Sequence, residues 1–533
     1  MSLYRLNSST VVEPLVHGWS ANSQCVSPLM AALTVSHYQL PNLRQYLSAP
    51  EANVEACRNP KLRAGRFVNI AVERVPEVRA LVASMECEYA DSLRLATQLM
   101  QFQNTLVAGA KTGLPMAPFY AKLPPELRGY VELVYDYFTR PGVRVIEPLL
   151  YRSPYYKPQL QSLRLFGLKQ DCDRDFVFST PRLPSPGEIH WALPFDDARV
   201  DALFRLDSEP RPLEEIRELL GLAPAQDAVL RSLLTPAERT LKPTWDGPSP
   251  RVRHFGHACV LVEWRGTSIL IDPCMGVQPS EAEPGRPGFE SLPDRIDYAI
   301  VTHNHHDHFS IETLLRLRHK LGCLVVPRAG GLHYGDTSLK LLAQRIGFAN
   351  VVELDTLDRI AIPDGEIVAV PFLGEHSDLP HAKAAYVVRT DARQMLFAAD
   401  SDCLDVRQYE LLREILGPVH SVFLGLECVG APMSWSSGAL MPVKPTVQQD
   451  QSRRQHGSNA ERGMKIVNAL QAEQLFVYAM GLEPWFEWLL GLAYTPDAPQ
   501  IHEMKRIIES AKQAGLREAR LLTASVVETV GVF

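Results

Sequence analysis

Three features are scarce in this sequence: surplus basic charge, long apolar runs and paired cysteines. The 54 basic residues are outnumbered by 61 acidic ones, and the net charge of −7 argues against binding to nucleic acid or to an anionic membrane. No apolar run reaches membrane-spanning length, and the first residues lack the apolar core of a signal peptide. The nine cysteines include no C-x-x-C pair, which fits free thiols in a reducing compartment. We therefore expect a soluble, cytoplasmic protein.

Length and composition indicate a globular protein of two domains. The 533 residues are too many for one ordinary core, and a hydrophobic fraction of 46% with 22% charged residues is typical of folded proteins. Proline and glycine are concentrated between Pro243 and Pro250, as in a linker. We expect a mixed α+β N-terminal domain at residues 1–245 and a second domain at residues 246–533.

The first 245 residues carry helix and strand patterns without catalytic chemistry. Apolar residues recur at helical spacing from Pro76 to Thr112, which predicts one long helix or two in succession. Another helix is predicted from Leu123 to Tyr137, and short strands are predicted at 142–150 and 176–179. Two short amphipathic helices are predicted at 212–241. They lack the basic cluster of a DNA-reading helix, so we interpret them as a packing or dimerisation element.

The densest chemistry in the chain follows a predicted buried strand at residues 296–301. The loop after it holds His303, His305, Asp307 and His308 in the spacing H-x-H-x-D-H. At the end of a strand, His303 and His305 can turn toward one point, and Asp307 and His308 toward a second point nearby. Alternating donors of this kind suit two metal ions about 3.5–4 Å apart. A polar surface loop would seldom hold so many donor side chains so closely.

This loop resembles the signature of the metallo-β-lactamase fold superfamily, and the pattern around it agrees. Predicted strands at 251–262 and 267–272 resemble the opening strands of that fold. They end in Asp272, which in the superfamily supports a ligand histidine. Ser310 is expected to cap the helix after the loop. Strands alternating with helices, and then strands again, predict an α/β fold: an αβ/βα sandwich preceded by the α+β domain.

Two further places are expected to supply metal ligands. Glu375 and His376 stand side by side after a predicted strand, where the superfamily has a ligand histidine, and only one of them can easily point inward. A predicted buried strand ends in Asp400, which matches the bridging aspartate of the superfamily, and Asp402 is the alternative. No histidine follows the strand that ends at Tyr478, where the superfamily has its last ligand. The donor set is therefore richer in carboxylates than a zinc hydrolase requires.

Histidines combined with several carboxylates suit iron, whose open positions suit dioxygen. With a foreign N-terminal half and Glu375 in place of a histidine, the chain resembles the diiron β-hydroxylases of nonribosomal peptide synthesis. The resemblance implies that one iron is held by His303, His305 and Glu375, the other by Asp307 and His308, and that Asp400 bridges them.

The resemblance also implies the reaction and its partners. Enzymes of this family hydroxylate the β-carbon of an amino acid held as a thioester on the phosphopantetheine arm of a carrier domain. They use dioxygen and two electrons from an external donor, such as a reductase or a ferredoxin. The N-terminal half then serves homodimerisation and access to the site. Glu375 and Glu427 are the candidate catalytic carboxylates. Glu427 also follows a predicted buried strand, and it is either an acid that supports the site or a surface carboxylate at the end of that strand.

Several other side chains are open to two interpretations. Arg453, Arg454 and Arg462 either contact an acidic carrier domain and its phosphate or form a solvated basic face. Trp485, Phe486 and Trp488 either line the substrate pocket or pack in the core. His254 and His257 are interpreted as structural.

Two other functions compete with hydroxylation. A dinuclear zinc hydrolase, acting on an ester, lactone, amide or phosphodiester, would use the same loop, so the loop cannot discriminate between the two enzymes. A DNA-binding or scaffold protein could keep a metal site for stability, but the sequence lacks the basic surface that such a protein needs.

Overall fold

Two seven-stranded sheets form the centre of the second half of the chain. The computed structural model describes residues 2–59, 61–62, 64–109, 114–136, 139–282, 286, 288–331, 335–374, 382–391, 393–441, 443–491, 493–523 and 528–532. The strands of the first sheet are, in order, Val351–Leu354, Leu321–Pro327, Ile296–Ile300, Thr267–Ile271, Cys259–Trp264, Arg251–Gly256 and Glu528–Val532. Those of the second sheet are Arg359–Ile362, Gly365–Val370, Ala385–Arg389, Gln394–Phe397, Ser421–Leu424, Gln474–Val477 and Glu518–Leu521.

The two sheets pack face to face, and their inner strands are buried on both faces. Val260 and Val262 of the first sheet share one buried cluster with Val388 and Phe397 of the second, whereas Leu261 points to the opposite face. Helices cover both outer faces: Ile311–Leu317, Leu339–Arg345, Val406–Leu416, Met433–Ser437, Val447–Ser452, Ala460–Ala469, Glu487–Leu490 and Pro499–Gln513. The predicted αβ/βα sandwich is confirmed.

The N-terminal part is a mixture of helices and small antiparallel sheets. A four-stranded sheet has the order Trp19–Ser20, Thr10–Val16, Gln161–Gly167 and Ile189–Ala192. A three-stranded sheet consists of Arg211–Pro212, Leu3–Leu6 and Leu234–Pro236, and a hairpin consists of Val131–Tyr135 and Pro141–Val145. The helices are Ser23–Val26, Pro28–Thr34, Leu40–Ser48, Pro50–Arg58, Val75–Glu88, Ala90–Gly109, Ala117–Tyr120, Glu147–Leu150, Ala198–Phe204, Leu213–Leu220 and Asp227–Ser232. A π-helical turn, Val35–Gln39, joins the second and third of these helices.

Some local predictions for this part were right and two were wrong. The helical stretch from Pro76 to Thr112 contains two helices in succession, and two short helices lie within 212–241. Residues 123–136 do not form the predicted helix. A short 3-10 turn precedes the strand Val131–Tyr135, in which Val131 and Leu133 alternate toward the core. The strand predicted at 142–150 is half right, because Pro141–Val145 is a strand and Glu147–Leu150 is a helix. Residues 176–179 form turns instead of a strand.

The N-terminal part and the sandwich share a hydrophobic core. One buried cluster combines Leu163, Phe195 and Leu203 from before residue 245 with Val301 and Leu314 from after it. In the described part of the chain, no helix is both long and apolar enough to cross a membrane.

A buried ion cluster also joins the two parts. Glu13 has no exposed surface, and its carboxylate lies 3.1 Å from Arg182, 3.1 Å from Arg164 and 3.4 Å from Arg174. Arg174 also pairs at 2.6 Å with Glu312, on the helix that follows the histidine-rich loop. Burial alone would raise the pKa of Glu13, but the three guanidinium groups outweigh it and hold that pKa well below its usual range.

Replacing Glu13 by glutamine is expected to lower the free energy of unfolding by about 3–5 kcal/mol, because it leaves buried guanidinium groups without their partner. Denaturation by urea at neutral pH measures this. The stabilisation is complete above the ordinary glutamate pKa of 4.5 and is lost as the pH falls further, so the difference between the two proteins should shrink in acid. Glu86→Gln, which breaks an exposed pair with Arg44, is the control and should cost less than about 1 kcal/mol. Equal loss in both variants would contradict the prediction.

Candidate metal centre

The candidate site lies at one edge of the sandwich, where the parallel strands of both sheets end. Asp272, the loop 303–308 and Asp400 each follow a strand, and Glu427 follows the next strand of the second sheet. Four non-glycine residues at this edge have left-handed backbone conformations: His257 at φ 49°, Asp272 at 42°, Ala399 at 46° and Ala479 at 52°. Strained conformations of this kind persist where surrounding structure enforces them, which is common at functional sites.

Asp272 fixes the loop through hydrogen bonds to Thr302 and His308. Its carboxylate is fully buried and accepts hydrogen bonds from the backbone N–H of Thr302 at 2.7 Å, from the Thr302 hydroxyl at 2.8 Å and from Nδ1 of His308 at 2.8 Å. Since Nδ1 of His308 donates its proton to this carboxylate, Nε2 is the ring nitrogen that can bind a metal ion in place of a proton. The hydrogen bond expected from Asp272 to a ligand histidine is present.

Donor atoms from the loop converge on the carboxylate of Asp400. Its Oδ2 lies 2.9 Å from Nε2 of His308 and 3.7 Å from Nε2 of His303, and Oδ2 of Asp307 lies 3.6 Å from the same His308 nitrogen. Nε2 of His308 is buried and makes no hydrogen bond among the described residues, although Asp400 is so near. Lone pairs that face a common point in this way are what a bound metal ion requires.

The charges of the cluster also fit a cation. Burial alone would lower the pKa of His308, but the carboxylates of Asp400, Asp307 and Asp272 outweigh it and raise that pKa well above its usual value. Burial alone would raise the pKa of Asp307, but the charge of His308 and a hydrogen bond from His257 hold it well below its usual value. Imidazoles mixed with carboxylates suit iron, so the residues present fit an iron site.

The sequence-predicted ligands are brought together as far as the described residues extend. His303, His308, Asp307 and Asp400 lie in one cluster, and the ring of His305 is 4.5 Å from that of His303, centre to centre. The predicted Glu375 and the alternative His376 both lie outside the described residues.

The alternative aspartate, Asp402, faces away from the cluster. Its Oδ1 accepts from Nε of Arg462 at 2.7 Å and from the hydroxyl of Ser458 at 3.1 Å. Because Asp402 makes these bonds, Asp400 is the aspartate that lies among the histidines. Arg462, one of the three arginines considered as contacts for a carrier domain, pairs with Asp402 instead.

A cavity of about 530 Å³ opens beside the cluster. Its wall includes His305, Asp307, Asp400 and Glu427 on the metal side, and Asn22, Lys61, Phe178, Trp435, Arg454 and Tyr494 farther out. The rings of Phe178 and Trp435 meet edge to face at 5.4 Å, and Phe178 contacts His306 in the same way at 5.7 Å. Burial lowers the pKa of His306 to about 4, so this imidazole is neutral near pH 7. Residues from both halves of the chain thus form one partly aromatic pocket that reaches the metal-binding side chains.

The other aromatic candidates belong to the core. Trp485, Phe486 and Trp488 are buried in a small cluster with Val177, and they are not in the wall of the cavity. Trp488 lies under the guanidinium of Arg174 at 3.3 Å, and Phe486 stacks on His257. The core interpretation of these three residues agrees with the structure.

His257 is a site residue that sequence reasoning missed. It was interpreted as structural, yet its Nε2 lies 3.0 Å from Oδ2 of Asp307. The available signal was its position, because His257 lies in the turn between two predicted strands, at the same edge of the sheet as the metal-binding loop. His254, by contrast, is fully buried and contacts the carbonyl of His257.

Gly425 leaves room for the carboxylate of Asp400. A Cβ at this position would lie 2.7 Å from Oδ1 of Asp400 and 3.0 Å from the carbonyl of Ala399. Gly425→Ala is therefore expected to displace Asp400 and to weaken metal binding by about 10-fold or more, with the fold retained. Metal titration of the apoprotein, with circular dichroism for the fold, measures this. Gly167→Ala is the control, since its Cβ would meet nothing within 4 Å, and equal affinities in the two variants would contradict the prediction.

Comparison with known proteins gives matches to both halves of the chain. Residues 5–237 match the family model of the diiron non-heme beta-hydroxylase N-terminal domain, and residues 267–478 match that of the beta-lactamase superfamily domain. The 4-amino-L-phenylalanyl-[peptidyl-carrier-protein] 3-hydroxylase of Streptomyces venezuelae is 33% identical over 529 residues, which cover 97% of this chain and 98% of that protein.

A solved structure and a more distant sequence relative show which of the two enzyme classes matches the whole chain. The crystal structure of CmlA, a diiron beta-hydroxylase from Streptomyces venezuelae, superposes with a TM-score of 0.90 at 32% identity and covers 98% of both chains. A metal-dependent hydrolase from Methanopyrus kandleri is 30% identical over only 125 residues, 23% of this chain and 46% of that protein. The similarity to the hydroxylase thus spans nearly the whole chain and that to the hydrolase a fragment of it. The chain belongs to the family of diiron non-heme β-hydroxylases.

Proposed function

We propose that this protein hydroxylates the β-carbon of an amino acid that is held as a thioester on a carrier domain of a nonribosomal peptide synthetase. The observation that carries the proposal is the match, over 97% of the chain, to a hydroxylase whose name specifies a carrier-bound aminoacyl substrate. The cavity supports it, because a pocket of about 530 Å³ whose wall includes metal-binding side chains can hold a substrate beside the metal. Zinc-dependent hydrolysis is not favoured, since its relatives match only part of the chain.

The proposed ligand set follows from the cluster. His303, His305 and Glu375 would hold one iron, Asp307 and His308 the other, and Asp400 would bridge them. Bound iron supplies the chemistry that amino-acid side chains lack: it activates dioxygen, so that one oxygen atom enters a C–H bond while two electrons and two protons convert the other to water. The electrons would come from an external reductase or ferredoxin.

The described side chains supply position and an apolar surface. Asp272 keeps the imidazole of His308 in one orientation, and the rings of Phe178 and Trp435 give the cavity an aromatic wall. Glu427 is the proposed catalytic acid or base, because it lines the same cavity as the metal-binding loop. Burial, together with the nearby carboxylate of Glu427, raises the pKa of Tyr494 well above its usual value, so this phenol keeps its proton.

The N-terminal domain, proposed at residues 1–245 against a catalytic domain at 246–533, would govern access to the site. Asn22, Lys61 and Phe178 come from that domain and form part of the cavity wall. We also propose that the protein forms a homodimer through the same domain and acts in the cytoplasm.

The outer wall of the cavity is proposed to receive the phosphate of the carrier's arm. Residues 56–71 hold four basic and no acidic side chains, and residues 429–456 hold three basic and one acidic, in a chain of net charge −7. Lys61 and Arg454, one from each segment, line the cavity itself. Positive charge at the mouth of a pocket favours an anionic ligand and speeds its capture.

A purified carrier domain loaded with individual amino acids tests the function directly. Incubation with the iron-loaded protein, dioxygen and a chemical or ferredoxin reductant should add one oxygen atom to the aminoacyl thioester, measured by intact-protein mass spectrometry. Iron should be present at two per chain by elemental analysis. Two zinc ions per chain, with turnover in the absence of dioxygen, would contradict the proposal.

Two neighbouring variants in the same assay separate the alternatives for the remaining ligand. Glu375→His should abolish hydroxylation and change the iron content, whereas His376→Gln should leave both near the wild-type level. The reverse pattern would assign the ligand to His376.

Lys61→Glu is expected to raise the KM for the loaded carrier several-fold and to leave kcat nearly unchanged, because the reversed charge repels the phosphate without touching the metal-binding residues. Steady-state kinetics at low ionic strength measure the split, and added salt should narrow the difference. Lys512→Glu, at an exposed lysine outside the cavity wall, is the matched control. A KM equal to that of the control variant would contradict this role of Lys61.

A further inference from the structure

We propose that His257 is a positioning residue whose Nε2–H hydrogen bond holds the carboxylate of Asp307 in the orientation in which it faces the metal. The inference rests on the proposed function only in that both use the same metal cluster. It concerns a residue outside the ligand set given above.

The imidazole of His257 contacts the cluster through Asp307 and His308. Its Nε2 lies 3.0 Å from Oδ2 of Asp307, and its ring centre lies 5.1 Å from that of His308. The side chain of His257 is only 2% exposed, so few water molecules can compete for its part of the contact. This hydrogen bond uses one lone pair of Oδ2, and the remaining lone pairs of the Asp307 carboxylate stay available for coordination.

Hydrogen bonds hold the backbone of His257, and a stacking contact holds its ring. Its N–H donates to Oε1 of Glu483 at 2.5 Å, and its carbonyl accepts from the backbone N–H of Ala479 at 3.1 Å and lies 3.0 Å from Nε2 of His254. The ring stacks on Phe486, with 4.2 Å between ring centres and 25° between planes. The left-handed conformation at φ 49° is held by these contacts. So much support for one side chain indicates that its orientation matters.

Direct coordination by His257 is the competing role, and the other ring nitrogen argues against it. A histidine that binds a metal through Nε2 carries its proton on Nδ1 and usually donates it to an acceptor. His308 does this with Asp272, and Nδ1 of His303 lies 3.0 Å from the hydroxyl of Thr302. Nδ1 of His257 is buried and has no hydrogen-bond partner among the described residues.

The tautomer follows from the cost of a buried orphan donor. A proton on Nδ1 of His257 would leave an N–H without an acceptor, which costs about 1–3 kcal/mol. A proton on Nε2 is instead donated to Asp307, and the unprotonated Nδ1 faces apolar surroundings. His257 is therefore a donor to Asp307 and not a lone-pair ligand.

Loss of this bond would free the Asp307 carboxylate to rotate or to bind through both oxygens. Either change would alter the geometry of the ion that Asp307 holds and lower its affinity. The expected loss is about 10-fold, the lower end of what removing a partner of a metal ligand causes.

Cobalt(II) binding tests the inference independently of catalysis. Apoprotein of the wild type, His257→Gln and His257→Leu is titrated with Co²⁺, and the visible absorption spectrum reports the ligand geometry. His257→Leu should bind two ions per chain, one of them about 10-fold more weakly, with a changed spectrum. His257→Gln, whose amide can donate in the same direction, should recover most of the wild-type affinity and spectrum. Phe486→Leu is the packing control, since it removes the stacking and keeps the hydrogen bond, and it should resemble the wild type.

Two results would overturn the inference. A His257→Leu spectrum and affinities identical to those of the wild type would show that the hydrogen bond has no effect on the metal. Loss of one whole ion in both His257 variants, with Phe486→Leu unaffected, would show that His257 is a ligand. Because Co²⁺ binding is measured without substrate or dioxygen, an absence of hydroxylation would contradict the proposed function alone.

Discussion

The buried carboxylate of Asp272 is the contact on which the metal centre depends. It joins the end of one strand to the beginning of the next loop through the backbone and hydroxyl of Thr302, and it fixes the imidazole of His308 through Nδ1. A loop with four donor side chains has many conformations in isolation, and ordering it costs conformational entropy. Three hydrogen bonds to one carboxylate select a single conformation of the loop. In that conformation Nε2 of His308 already lies 2.9 Å from Oδ2 of Asp400.

The N-terminal half is part of the site as well as of the fold. Glu13 and Arg174 connect a strand of that half to Glu312, two residues after the N-cap of the helix that follows the metal-binding loop. Phe178, four residues beyond Arg174, forms part of the pocket wall. A sandwich alone would present the donor cluster to open solvent on this side. The added half converts that surface into an enclosed pocket with an aromatic wall and basic side chains at its outer part, as a tethered anionic substrate requires.

The sequence predicted the features that depend on local pattern. A buried strand followed by H-x-H-x-D-H identified the loop, and Ser310 caps the next helix as expected, since its hydroxyl accepts from the N–H of Thr313. The choice between Asp400 and Asp402 was left open because both end the same strand. Only the tertiary contact of Asp402 with Arg462 distinguishes them. Leu123 to Tyr137 was misassigned because Val131 and Leu133 satisfy a strand period once a hairpin partner exists. His257 was missed although its place in a turn at the same edge was a signal. The pairing of Phe178 with Trp435 depends on residues far apart in sequence, for which one sequence carries no signal.

The central claim is that the cluster at the edge of the sandwich holds two iron ions. Anomalous diffraction from crystals of the protein purified with iron, recorded on both sides of the iron absorption edge, tests it most directly. Two anomalous peaks are expected, one beside His303 and His305 and the other beside Asp307 and His308, with the carboxylate of Asp400 between them. A single peak, or two peaks that appear only at the zinc edge, would contradict the claim.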